Sequence, residues 1–248
     1  MRKIAPQILP DSDNMATSDN KTAENRPTGK VGRPRSDDRE KTERGERILN
    51  AAEELFALHG YDGVTLRTLA NAAGVDVALI NYYFGPKQQL FDTVFQRRAK
   101  ILNQERLSAL EQAKSEAAPE AVTVEKIIEA FLRPLEVAQE SQDEGWRNYC
   151  ALLAYVNNSA VWGPLLMSKH YNDLVDVFVE ALRHALPGSK DEDIYWCYHY
   201  MSGAMSLTFA NTGRIDRMSH GLCRSDDFQA AYDRMIPFIA AGFRRVCG

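Results

Sequence analysis

Apolar residues recur at helical spacing along almost the whole chain from about residue 38 onward. Ile48, Ala51, Ala52, Leu55, Phe56 and His59 fall at i, i+3, i+4, i+7, i+8 and i+11, one face of a 3.6-residue period. Gly60 ends that helix and Tyr61-Asp62-Gly63 reads as a turn. Thr65 is placed to cap a short helix, TLRTLANAA, with Leu66, Leu69, Ala70 and Ala73 inward. Gly74 stops it, Asp76 caps the next helix, VALINYYF, and Gly85-Pro86 closes that one. Pro86 suits the first turn of a longer helix running to about Ala113. The same periodicity predicts helices over 120–141, 145–158, 161–186, 190–211 and 224–246. Gly145, Gly163-Pro164, Pro187-Gly188 and the polar SHGLCRSDD separate several of them. Strand-type alternation of β-branched residues is absent, so the fold class is all-α: a small three-helix unit over 38–90, then a larger helical body over 91–248.

Composition changes this picture at the ends. Residues 1–29 are polar and poor in large apolar groups, which predicts a disordered tail; Met15 is an alternative start. Net charge is only −4, but RPTGKVGRPR (26–35) carries Arg26, Lys30, Arg33 and Arg35 without an acid, while residues 91–248 are acidic overall. A tail over 1–37 with a basic arm, joined to an acidic body, places an anion-binding surface at one end. Cys150, Cys197, Cys223 and Cys247 form no CxxC pair, which excludes a disulfide scaffold and argues against a zinc finger. Neither an apolar run of membrane-spanning length nor a secretory leader is present, so a reduced cytoplasm is expected.

The chemistry concentrates in TLRTLANAAGVDVALINYYFGPKQQL, residues 65–90. Two short helices joined at Ala73-Gly74-Val75, behind a longer apolar-faced helix, make a helix-turn-helix pattern. Ala70 must be small where the helices cross, Gly74 can take a positive φ, and Val75, Ile80 and Phe84 pin the second helix. Val77, Ala78, Leu79, Asn81 and Tyr82 are left for the outer face.

Residues 46–90 resemble the tetracycline-repressor (TetR) family of bacterial transcription factors. The resemblance is carried by Ala51-Ala52, Leu55-Phe56, Gly60-Tyr61, Thr65, Leu69-Ala70, Ala73-Gly74-Val75, Ile80, Tyr83-Phe84, Lys87 and Leu90. It implies an N-terminal helix-turn-helix DNA-binding domain followed by a helical effector-binding and dimerisation domain. By position it implies that Thr65 offers its hydroxyl and a helix N-terminus to phosphate, and that Arg67 reaches a guanine edge. Val77, Ala78, Leu79, Asn81 and Tyr82 would face the major groove, with Tyr83 and Lys87 clamping phosphates. Asp76 departs from the family's usual serine and puts an anion near the backbone. The apolar Val77, Ala78 and Leu79 suit thymine methyls, leaving hydrogen-bonded readout to Arg67 and Asn81. Upstream, GRPR at 32–35 resembles a minor-groove arm in which Arg33 and Arg35 enter a narrow A/T groove.

The back half is rich in aromatic residues. The resemblance implies a small-molecule sensor there, with Phe131, Leu135, Trp146, Tyr149, Leu153, Trp162, Met167 and Tyr171 as the candidate lining. Those residue types suit a largely apolar, aromatic or acyl-bearing effector, although aromatics at helical spacing are commonly plain core. It also implies a homodimer on double-stranded, palindromic DNA, assigned to 190–211 and 224–246. Ser202, Gly203, Ser206 and Ala210 would permit close helix approach, and Phe228, Ala231, Tyr232, Met235, Ile239 and Phe243 form an apolar stripe that Pro237 should kink; both patterns are equally compatible with packing inside one chain. The five histidines show no metal-ligand spacing, His59 has a structural place on the first helix, and no metal or cofactor is expected. GxSxG, Walker and GxGxxG patterns are absent, which argues against an enzyme. A regulator switched by a protein partner or constitutive, and an enzyme carrying a relic helix-turn-helix, are the alternatives to a ligand-released repressor.

Overall fold

The computed structural model describes residues 36–141 and 143–248; the Arg33 and Arg35 arm and the rest of the tail lie outside the described residues. Among the described residues ten α-helices follow one another: α1 (Ser36–His59), α2 (Leu66–Ala73), α3 (Val77–Phe84), α4 (Lys87–Ala117), α5 (Val124–Glu140), α6 (Glu144–Asn157), α7 (Ser168–Ala185), α8 (Asp191–Phe209), α9 (Arg214–Met218) and α10 (Phe228–Cys247). A π-helical turn, Gly163–Met167, leads directly into α7, so the single helix predicted over 161–186 has an irregular start. No strand occurs among the described residues.

The first three helices close on a small core. Ile48, Ala52 and Phe56 of α1 are buried against Leu69, Ala70 and Ala73 of α2 and Ile80 of α3. Thr65 caps α2 reciprocally: its hydroxyl accepts from the Thr68 amide at 3.1 Å, and its own amide donates to the Thr68 hydroxyl at 3.0 Å. Gly74 sits at φ 63°, ψ 43°, and the Val75 amide reaches the Ala70 carbonyl at 3.0 Å, sealing the end of α2. That left-handed conformation costs an L residue about 1–2 kcal/mol. Gly74→Val should therefore destabilise the chain by about that amount in urea unfolding; an unchanged midpoint would contradict this role for the turn.

Three sequence expectations need correction. His59 is exposed, because the chain turns at Gly60 and Tyr61 instead packs on Phe56 and Phe91. Asp76 occupies the N-cap position of α3, but its carboxylate accepts no hydrogen bond from the helix. The apolar stripe of α10 faces inward: Tyr232, Met235, Ile239 and Phe243 are buried in the chain's own core.

The larger body wraps α4, α5, α7, α8 and α10 around a continuous interior, with α6 packed between it and α1. A buried ion pair fastens the two parts. Arg98 of α4 donates to Glu53 of α1 at 2.7 and 3.2 Å and to Asp143, the cap of α6, at 2.8 Å. Gly145 is a contact point as well as a turn: a Cβ there would lie 1.7 Å from an Arg98 nitrogen and 2.6 Å from Glu53 Oε2.

Candidate nucleic-acid interface

The outer face of α2 and α3 is built by what the inner face must bury. With Leu69, Ala70, Ala73 and Ile80 committed to the core, helical periodicity turns Arg67, Thr68, Asn71, Ala78, Asn81 and Tyr82 to solvent, and all are exposed. Tyr82 is 73% exposed, with its ring on the outer face of α3. Arg67 has no ion-pair partner among the described residues, so its full donor set is free. Thr65 is exposed at the N-terminus of α2, where backbone amides and the helix dipole favour an anion.

Other expected contacts are less free. Val77 and Leu79 are only half-exposed, and Val77 packs against the core, because α3 is short and its first turn lies on the α2 junction. Tyr83 is half-buried and lies under α1 beside Gly45. The Lys87 ammonium stands 4.0 Å over the Tyr61 ring. Partial burial pulls its pKa below the ordinary lysine value, against the opposing attraction of Asp62. Lys87 is thus held in place, with its charge at the edge of the unit. One basic residue escaped the sequence reading: Lys41 of α1 lies 5.8 Å from the centroid of the Tyr82 ring. Its signal, a lysine in the polar N-terminal part of α1, is indistinguishable in sequence from a solvated helix end.

The candidate effector residues all lie in, or pack against, one hydrophobic core. Trp162 packs at a tilt on Tyr61, centroids 4.3 Å apart, and edge-on against Phe91 at 4.9 Å, so it ties the body to the helix-turn-helix unit. Trp146 lies 5.0 Å from the Arg98 guanidinium and edge-on to Tyr149. Phe131, Leu135, Tyr149, Leu153 and Tyr171 are buried together in the interior, while Met167 is only half-buried in the π-helical turn. Beside this interior a groove of about 630 Å³ runs between α4 and α5, floored by Leu102, Ala109, Ala130 and Ala138 and reached by Trp146.

On α8, two of the small residues pack within the chain. Ser202 and Ser206 accept hydrogen bonds from the Asn157 amide of α6 at 3.1 and 2.5 Å, so they serve the chain's own packing. The unpartnered face instead shows Trp196, Tyr200, Gly203 and Leu207 on α8 and Phe238 on α10. Among the described residues no group of acidic, histidine and cysteine side chains is arranged to hold a metal ion, and no helix is long and apolar enough to cross a membrane.

Two family profiles match the chain. The profile described as bacterial regulatory proteins, tetR family, covers residues 48–94, and that described as tetracyclin repressor-like, C-terminal domain, covers residues 129–242. The HTH-type transcriptional repressor AcnR of Corynebacterium efficiens is 44% identical over 46 residues, 18% of this chain and 24% of that protein. The HTH-type transcriptional regulatory protein RaaS of Mycobacterium tuberculosis is 52% identical over 44 residues, 18% of this chain and 20% of that protein. The match thus spans about a quarter of the length of these curated relatives. In overall fold the chain is similar to the fatty acid degradation regulator FadR of Bacillus halodurans (TM-score 0.57, 18% identity, covering 81% of this chain and 96% of that one). It is also similar to the hemolysin II transcriptional regulator HlyIIR (TM-score 0.51, 18% identity, covering 78% and 97%).

Proposed function

The chain belongs to the tetracycline-repressor family of transcriptional regulators, and from that premise we propose that it represses transcription as a homodimer on a palindromic operator until a small molecule releases it. The observation that carries this reading is the exposed face of Arg67, Ala78, Asn81 and Tyr82 on a helix pair whose first member is capped by Thr65. Arg67 and Asn81 supply hydrogen bonds to base edges, while Ala78 and the exposed edges of Val77 and Leu79 meet thymine methyls. Thr65, Tyr83 and Lys87 take phosphates, and Lys41 extends that contact beside Tyr82. One such face reads only a few base pairs, so two are needed, about one helical turn apart. The unpartnered α8–α10 face, with Trp196, Tyr200, Leu207 and Phe238, supplies the apolar surface for that pairing.

Release follows from the course of α4. It begins at Lys87, passes through Arg98 at the buried ion pair, and ends in the body, where an apolar effector would bind beside the α4–α5 groove. A shift of α4 on ligand binding changes the spacing of the two copies of α3 in the dimer. A coupling of about 1–3 kcal/mol, roughly 5- to 150-fold in affinity, is enough to switch occupancy.

Titrating labelled operator-bearing fragments at rising salt tests the DNA reading. Affinity should fall steeply, by about 0.9 log units per log unit of salt for each phosphate contacted. Removing residues 1–35 should flatten that slope by about 3–4, the contribution of Arg33 and Arg35 from both subunits. An unchanged slope would reduce the GRPR segment to a linker, and salt-independent binding would overturn the DNA reading itself.

A further inference from the structure

The interior of the body contains a charge that its surroundings do not neutralise. Arg106 of α4 is only 1% exposed, the largest fully buried side chain among the described residues. Its Nε donates to the Phe131 carbonyl at 2.8 Å, and Nη2 points at the Met205 sulfur at 3.5 Å, a weak acceptor. Nη1 has no hydrogen-bond partner among the described residues, and no carboxylate pairs with the guanidinium. The other buried carboxylates are committed elsewhere: Glu53 to Arg98 and Glu136 to Arg133. Phe131 covers one face of the guanidinium at 4.0 Å, and the Tyr171 ring lies at 6.0 Å.

The groups around it stay neutral. Burial raises the pKa of Tyr149, Tyr171 and Tyr198, and pushes the Cys150 thiol up to about 12, in each case against the pull of Arg106. With no carboxylate beside it, the guanidinium is an isolated cation in a low-dielectric interior, a costly arrangement without a counter-ion. A second spare donor stands close by. The Tyr149 and Tyr171 hydroxyls bond to each other at 2.5 Å, which uses one hydroxyl hydrogen and leaves the other unused.

We propose that the effector of this regulator carries a carboxylate, which pairs with Arg106 and takes the spare tyrosine hydrogen, while its apolar body lies among the aromatic side chains and along the α4–α5 groove. This rests on the sensor reading above and narrows it from an apolar molecule to an amphipathic monoanion such as a fatty or aryl carboxylate. Arg106 lies 19 residues beyond Lys87 on the same helix, about 28 Å at 1.5 Å per residue, so an anion held there acts on α4 directly.

The test compares decanoate and 1-naphthoate with decanol and 1-naphthalenemethanol on the full-length protein, by thermal shift and tryptophan fluorescence. At least one carboxylate should raise the melting temperature and bind saturably, and its alcohol should bind about 10- to 100-fold more weakly. Arg106→Met should remove that preference. Without ligand, the variant should melt no lower than wild type, because an uncompensated buried charge is exchanged for an apolar side chain. Alcohols binding as well as acids would overturn the carboxylate assignment and leave the apolar sensor standing. Silence from all four probes would overturn both. An Arg106→Met protein that melts well below wild type or fails to fold would assign Arg106 to the fold alone, and the acid–alcohol comparison on the wild type decides independently.

Discussion

Arg67→Ala and Asn81→Ala should each abolish operator selection while the protein stays folded. Both side chains are exposed, and neither touches the small core formed by Ile48, Phe56, Leu69 and Ile80. Surface truncations of this kind usually change stability by less than about 0.5 kcal/mol. Each bidentate base contact is worth about 1–3 kcal/mol, and a homodimer makes it twice, so affinity for the preferred site should fall about 30-fold to 10⁴-fold. Binding to unrelated DNA, which depends on phosphates, should change little. Anisotropy titrations on preferred and scrambled duplexes measure both. Equal losses on the two duplexes would mean that these side chains only position the protein.

The second large effect concerns the fastening between the two parts. Glu53→Ala removes one carboxylate from Arg98 and leaves a buried cation with only the half-exposed Asp143. Breaking a buried pair on one side costs about 3–5 kcal/mol, a large share of the stability of most domains. Urea unfolding of Glu53→Ala should therefore show a sharply lowered midpoint, whereas Asp143→Ala should cost less. Gly145→Ala should resemble Glu53→Ala, since its Cβ would displace the guanidinium. The pH dependence has a definite sign. The hydrogen bond from Arg98 holds the Asp143 carboxyl below the usual carboxylate range. For Asp92, burial acts upward, but hydrogen bonds from Lys169 and His170 prevail and its pKa is also lowered. Groups with depressed folded values stabilise fully above their unfolded pKa, about 4, and that contribution disappears as pH falls through the folded value. Unfolding midpoints should thus be flat from pH 5 to 7 on account of these groups and decline below about pH 4. Stability that rose on acidification below pH 4 would contradict the assignment.

Local signals made the front of the molecule legible. Thr65 as a cap, Gly74 at a left-handed turn and the Ile48–Phe56 periodicity depend on neighbours a few residues away, and the structure shows each of them. Asp76 shows the limit even there: its type suits a cap, yet whether the carboxylate turns back on the helix depends on its rotamer. In the back half, segment positions could be read but not their partners. The α10 stripe and the Ser202–Ser206 spacing looked like an intersubunit surface because inward and outward apolar faces have the same period. Aromatic spacing does not reveal partners either: Trp162 also packs on Tyr61, and Trp146 lies against Arg98. Arg106 carried no signal at all: an arginine midway along a polar-looking helix reads as a solvated side chain, and only tertiary packing buries it. Pro134 was also passed over, although it lies inside α5 one turn from the Phe131 carbonyl that Arg106 binds.

The most direct test of the central claim is to select bound sequences from a random DNA pool with the full-length protein. The expected result is one enriched palindrome, with half-sites about one helical turn apart, that is no longer enriched by Arg67→Ala. Recovery of unenriched sequence, or of a single half-site bound by one subunit, would contradict it.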